Sequence, residues 1–278
     1  MKEILGSLVG VDSSSKKQQC PHYAFVNNTC AGCKKPMNKC DNPTAIPFRY
    51  IDRNFCLSND AISRLRDLNL QSLLHRKKLH LVLDLDNTLI HAAKSEKNDC
   101  KKKNSKSSKN DVYEILRGEM LVKLRPGARD FLEKASQLFD LSIYTIADEP
   151  YARQIAKILE SDGVRFSRVV SREDCTKMGR KGLDVVLSHQ RVVLIVDDLD
   201  EVWGVEYRGN VIKIQPYAFF QKASSSSDDD DQELSRVLSI LKEVHAMFYN
   251  KKQGNNHASK DVRRLLENVT MVDSGATN

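Results

Sequence analysis

The chain has 278 residues, 40% of them hydrophobic and 29% charged, with a formal net charge of +7. That length can bury a real core as one large domain or two small ones. No apolar run approaches the roughly 20 residues of a membrane-spanning helix. Seven cysteines, four of them between residues 20 and 40, argue for metal ligation in a reducing compartment rather than a disulfide framework.

Residues 1–19 are polar and read as a flexible lead with no signal-peptide cleavage site. "CPHYAFVNNTCAGCKKPMNKC" follows. Cys20 and His22, then Cys30 and Cys33, make two close pairs across a short loop, a spacing that can fold round tetrahedral Zn²⁺ as a structural or docking centre. Cys40 is an alternative to His22 as fourth ligand, and a reduced metal-free tail is the plainer alternative. Residues 1–45 are therefore set apart as a small N-terminal Cys/His segment.

Ser58 suits the N-cap of a helix with Ile62, Leu65 and Leu68 at helical spacing. A buried strand at 79–85 comes directly after it. "KSEKNDCKKKNSKSSKND", 94–111, is Lys/Ser-rich and reads as an exposed insertion. Ala128, Phe131, Leu132, Ala135, Leu138 and Phe139 share one helical face. A strand at Leu141–Ile146 follows. Pro150 then opens a helix with Ile155, Ala156 and Leu159 inward. "RFSRVV", "RVVLIVDD" at 191–198 and "NVIKIQP" read as strands, with a helix leading into the second of them. After the low-complexity "ASSSSDDDD", "ELSRVLSILKEVHAMF" is an amphipathic helix. The last 25 or so residues look weakly ordered, with a turn or two of helix in "DVRRLLENV".

Strands alternating with helices predict an α/β fold with a mostly parallel sheet, whose working groups collect at the carboxyl ends of the strands. Asp84 and Asp86, Thr145, and Asp197 and Asp198 all follow apolar strands, so three strands deliver polar groups to one edge. Buried unpaired carboxylates are costly, so several at one edge call for a cation. Asp84 is a candidate nucleophile for a phosphoryl group, and Asp86 a candidate to protonate the leaving oxygen and activate water. Mg²⁺ suits hard oxygen ligands: Asp84, the main-chain carbonyl of Asp86, and Asp197 or Asp198. Thr145 and Lys181 would hold the phosphate, with Lys177 as the competing ammonium. Thr88 and Trp203 read as structural. Arg125, next to Pro126, is read first as a helix-start residue and second as facing a phosphopeptide.

In "LDLDNTLI", "YTIA", Lys181 and "IVDD" the chain resembles the four motifs of the haloacid dehalogenase superfamily. It is more closely similar to the phosphatases of the RNA polymerase II C-terminal domain (CTD), particularly the plant CTD phosphatase-like proteins. The likeness extends through "RKKLHLVLDLDNTLIH", "VKLRPGARDFLEKAS", "IYTIADEPYARQIAKILE", "RVVSREDC", "KGLDVVL", "VDDLDEVWG" and "VLSILKEVHAMFY", roughly residues 46–250. The resemblance implies a Rossmann-like core over 46–250 and a Mg²⁺-dependent protein serine/threonine phosphatase. Asp84 would be the phosphorylated nucleophile and Asp86 the general acid/base. Thr145 and Lys181 would bind the phosphoryl group. Asp198 would be a metal ligand, and Asp197 would support the metal or position Lys181. It further implies phosphorylated heptad repeats of the polymerase tail as substrate, a role in transcription regulation in the nucleus, and no direct contact with nucleic acid or membrane.

Two positions depart from the family pattern: Asn87 stands where His is usual, and Ala147 where Gly is usual. Residues 251–278 read as a tail, with no BRCT domain expected. The rival functions are a phosphatase of the same superfamily acting on a small metabolite, and a non-catalytic phosphopeptide-binding paralogue.

Overall fold

The computed structural model describes residues 1–9, 20–40, 44–95, 112–220, 231–250 and 260–275. Nearly all of the Lys/Ser-rich insertion, and the Ser/Asp run apart from Asp231, lie outside them. In chain order the elements are α1 (Lys2–Val9), β1 (Ala24–Val26), β2 (Thr29–Cys30), β3 (Ala45–Pro47), β4 (Phe55–Ser58), α2 (Asn59–Arg76), β5 (Leu79–Leu83), β6 (Ile90–Lys94), β7 (Val112–Ile115) and β8 (Met120–Leu124). There follow α3 (Ala128–Leu138), β9 (Phe139–Tyr144), α4 (Glu149–Leu159), β10 (Phe166–Val170), β11 (Val193–Asp197), β12 (Val211–Lys213), α5 (Glu233–Tyr249) and α6 (Val262–Gly275).

The central sheet has the order β10-β9-β5-β11-β12, every pair parallel. β5 lies in the middle with all five residues buried, as expected for a strand covered on both faces. Side chains alternate between two layers. Leu79, Leu81, Leu83, Leu194 and Val196 join the core under α3, α4, α5 and α6. Val82, Val193 and Ile195 face the opposite layer, with Ala61, Ile62 and Leu65 of α2, Phe48, Phe55 and Trp203. Two antiparallel sheets flank this core: β6-β8-β7, and the N-terminal β2-β1-β4-β3.

Local chemistry sets the helix starts. Ser58 accepts the Ala61 N–H at 3.3 Å and caps α2. Asp148 accepts the Tyr151 N–H at 3.0 Å and Pro150 lies in the first turn of α4. In α2 the inward positions are Ala61, Ile62, Leu65 and Leu73, whereas Leu68, expected inside, is 42% exposed.

Several boundaries differ from expectation. Phe139 leaves the helical face and begins β9, since α3 ends at Leu138 and the chain turns extended there. The helix expected after Lys181 is instead a pair of short 3₁₀ turns at Leu183–Val185 and Gln190–Val192. Arg66 of α2 donates to the Leu183 carbonyl at 2.6 Å and to the Val186 carbonyl at 3.1 Å, acceptors that a longer helix would have used. Residues 2–9, read as flexible, form α1, whose Leu8 is buried against the α2 layer. The boundary expected at residue 45 falls inside one sheet, because β3 pairs with β4 and β4 with β1. The tail expected after residue 250 includes α6, which buries Val262, Leu266 and Val269 in the main core.

That burial has a direct consequence for stability. Leu266→Ala is expected to cost about 2–5 kcal/mol, read as a lower urea midpoint at unchanged slope. An unchanged midpoint would mean that α6 is not part of the folding unit.

Candidate active site

Asp84 follows β5 directly, and its backbone N–H still donates to Val196 O at 3.0 Å, so the fold holds it at the carboxyl edge of the sheet. β5 pairs with β9 at Leu83 and Ile143, which brings Thr145 to the same edge. Asp197 ends β11, next to β5. The predicted edge is therefore real: Asp84, Thr145, Lys181, Asp197 and Asp198 are all buried there.

Lys181 ties the edge together. Its Nζ donates to Asp84 Oδ1 at 2.5 Å and to Asp197 Oδ2 at 2.7 Å. Its backbone is anchored by its N–H to Val202 O at 2.8 Å and by the Gly204 N–H to its own carbonyl at 3.3 Å. The competitor Lys177 is exposed on the hairpin before it. Asp197 is fully engaged: Oδ2 also accepts from Trp203 Nε1 at 2.8 Å, and Oδ1 accepts from Leu199 N at 2.9 Å. Trp203 is buried, as expected, but its indole N–H has a polar task that periodicity does not signal.

Oxygens of Asp84, Asp197 and Asp198 lie within 4.8 Å of one another. Burial pushes the Asp84 carboxyl up to about 7; Lys181 opposes the rise and the charges of Asp197 and Asp86 add to it. Burial also works against the Lys181 charge, but Asp84 and Asp197 outweigh it and leave the ammonium raised. Asp198 is raised by burial and then by Asp197. Three crowded acids with one ammonium, all oxygen donors, fit a divalent cation of the Mg²⁺ type.

Asp86 stands beside this group. Burial raises it, against the hydrogen bond that Tyr151 OH donates to its Oδ1 at 2.5 Å. Nothing in the sequence periodicity marks Tyr151. Thr88 donates to Asp198 Oδ1 at 3.4 Å and Thr145 Oγ1 accepts from Ala147 N at 3.0 Å. Arg125 is 2% exposed and turned inward: its guanidinium donates to Thr88 O at 3.1 Å and Asp231 Oδ2 at 2.9 Å. It clamps the loop after Asp84 rather than starting a helix as expected, since α3 begins at Ala128 after the Gly127 cap and Pro126 lies outside it.

The two departures keep the backbone intact. Asn87 has φ +61°, a left-handed conformation in which both Asn and His are enriched. Ala147 has no positive φ, so glycine is not required there.

At the N-terminus the cysteine pairs converge. Cys20 Sγ is 3.7 Å from Cys30 Sγ, and His22 Nδ1 is 3.6 Å from Cys33 Sγ. A tetrahedral site with ~2.3 Å zinc–sulfur bonds separates its sulfurs by ~3.7 Å. Burial raises the Cys30 thiol, while the Lys35 N–H draws the Cys33 thiol down toward the metal-binding thiolate. Cys40 Sγ, 3.4 Å from the same His22 nitrogen, remains a competing fourth ligand.

The chain belongs to the NLI interacting factor-like phosphatase family, whose model matches residues 79–273. It is 35% identical over 287 residues to RNA polymerase II C-terminal domain phosphatase-like 4 of Arabidopsis thaliana, covering 93% of this chain and 63% of that protein. It is 30% identical to an RNA polymerase II C-terminal domain phosphatase of Schizosaccharomyces pombe, covering 73% of this chain and 31% of that one. The chain thus spans less than two thirds of the length of these curated relatives. A solved structure of Fcp1, described as an essential RNA polymerase II CTD phosphatase, matches with a TM-score of 0.60 at 25% identity over 73% of each chain. Among the described residues no helix is long and apolar enough to cross a membrane.

The raised Asp84 makes stability pH-dependent. Its folded value near 7 exceeds its ordinary 3.8, so the folded chain binds the extra proton between them and stability falls as pH rises through that window. Burial lowers His80 to about 4, which acts in the opposite sense, so the Asp84 contribution is read against Asp84→Asn. In a chelating buffer the urea midpoint of wild type relative to the mutant should be lower at about pH 8 than at about pH 5. An equal pH dependence in both proteins would contradict the assignment.

Proposed function

We propose that this chain is a Mg²⁺-dependent protein serine/threonine phosphatase acting on the phosphorylated heptad repeats of the RNA polymerase II tail, in the nucleus. The observation that carries it is the convergence of Asp84, Lys181, Asp197 and Asp198 at one buried edge beside Thr145 and Asp86. The names of the plant and yeast relatives support the substrate class.

Asp84, Asp198 and the Asp86 carbonyl would hold Mg²⁺, which when bound offsets the negative charge of the acids and the phosphate. Asp197, with its oxygens committed to Lys181, Trp203 and Leu199, serves to position Lys181. Asp84 attacks the phosphorus and takes the phosphoryl group as an aspartyl-phosphate. Asp86 gives a proton to the departing serine oxygen, then takes one from the water that hydrolyses the intermediate. Lys181 and Thr145 engage the phosphoryl oxygens, where fixed charge and dipoles contribute most of the catalysis.

Cys20, His22, Cys30 and Cys33 would hold one structural Zn²⁺, tying the segment before β1 to the end of the β1–β2 hairpin. Nothing in the chemistry routes through it.

Two outcomes follow. Asp84→Asn should lower phosphopeptide turnover on the order of a thousandfold or more while leaving a folded chain; equal phosphate release by mutant and wild type would defeat the assignment. Elemental analysis of purified protein should find one zinc per chain, lost in Cys33→Ser together with part of the thermal stability. Wild type without zinc would leave the cysteines as reduced thiols.

A further inference from the structure

The Asp86 carboxyl has two oxygens, and only one of them can carry the moving proton at a time. Tyr151 takes one, donating to Oδ1 at 2.5 Å. Tyr151 is 7% exposed, with its ring packed in the main core. Its place at the start of α4 is fixed by the Asp148 cap, Pro150 and two bonds at Ala147. The Ala147 N–H donates to Thr145 Oγ1 at 3.0 Å, and its carbonyl accepts the Arg172 N–H at 2.9 Å. One short stretch of chain thus carries both the phosphate-facing Thr145 and the phenol that grips Asp86. The phenol O–H is the donor in this bond, so Oδ1 is left as an acceptor.

We propose that Tyr151 is a positioning residue for acid–base catalysis. By engaging Oδ1 it fixes the carboxyl plane and assigns the moving proton to Oδ2. The inference rests on the phosphatase reading. In the first half-reaction a bond forms between Asp84 and phosphorus as the bond from phosphorus to the serine oxygen breaks. The proton on Asp86 Oδ2 passes to that oxygen, which leaves as a neutral alcohol. In the second, water attacks the phosphorus, its proton goes to Oδ2, the bond to Asp84 breaks and orthophosphate departs. Asp86 ends protonated and Asp84 ends as a carboxylate, as each began.

A general acid matters in proportion to the basicity of what leaves. The test compares full-length wild type and Tyr151→Phe on phosphate monoesters running from nitrophenyl to alkyl, including a phosphoserine peptide. Phe keeps the ring and its packing, so the melting temperature should be unchanged. The first half-reaction, read as leaving-group release in a single turnover before the shared hydrolysis of the intermediate, should stay within about threefold of wild type for nitrophenyl esters. For alkyl esters and the peptide it should slow on the order of tenfold or more, because only those leaving groups need the proton. An equal loss across the series, which a merely structural role would produce, or no loss anywhere, overturns the assignment of Tyr151. A wild type that hydrolyses no ester sinks the phosphatase reading and this inference with it. An active wild type with a parallel Phe series sinks only the inference.

Discussion

A buried ammonium between two buried carboxylates is the interaction on which the site depends. Lys181 is 3% exposed and bridges Asp84 and Asp197, which belong to neighbouring strands of the central sheet. Taking these ions out of water costs several kcal/mol each, and only close pairing offsets it. The fold supplies that pairing and then adds a third acid, Asp198, held by the neutral hydroxyl of Thr88. Burial, with the charges of Asp197 and Asp86 adding to it, raises Asp84, and the crowded acids fit a divalent cation.

The surrounding polar groups act on this arrangement through fixed geometry. Trp203 and the Leu199 N–H hold Asp197, so that Lys181 has one place to be. Arg125 spans the carbonyl of Thr88 and the carboxylate of Asp231, joining the loop after β5 to the start of α5. Tyr151 does the same for Asp86 from α4. Preorganised dipoles of this kind need no reorganisation when charge moves, which suits phosphoryl transfer.

The parallel sheet and its polar edge are legible in the sequence because β5, apolar except for His80, and β11 are buried runs with acids at their ends. Lys181 is legible only through its order among the motifs, since nothing local separates it from Lys177. Tyr151 and the indole N–H of Trp203 are not legible. Both side chains are largely apolar and pack in cores, and their polar atoms find partners 65 and 6 residues away in sequence. Phe139 misleads because a helix end and a strand start share one buried residue, which satisfies both periodicities. The helix expected after Lys181 fails for the converse reason. Its apolar residues meet the core from short turns, with Arg66 of α2 donating to the Leu183 and Val186 carbonyls that a longer helix would have used.

The central claim is that an oxygen of Asp84 carries the phosphoryl group in each cycle. Rapid quenching during phosphopeptide turnover, reduction with labelled borohydride and peptide mapping tests it most directly, because an acyl phosphate is reduced to the alcohol. The account predicts labelled homoserine at residue 84 and at no other position. Label at another carboxylate, or turnover with none at all, would contradict it.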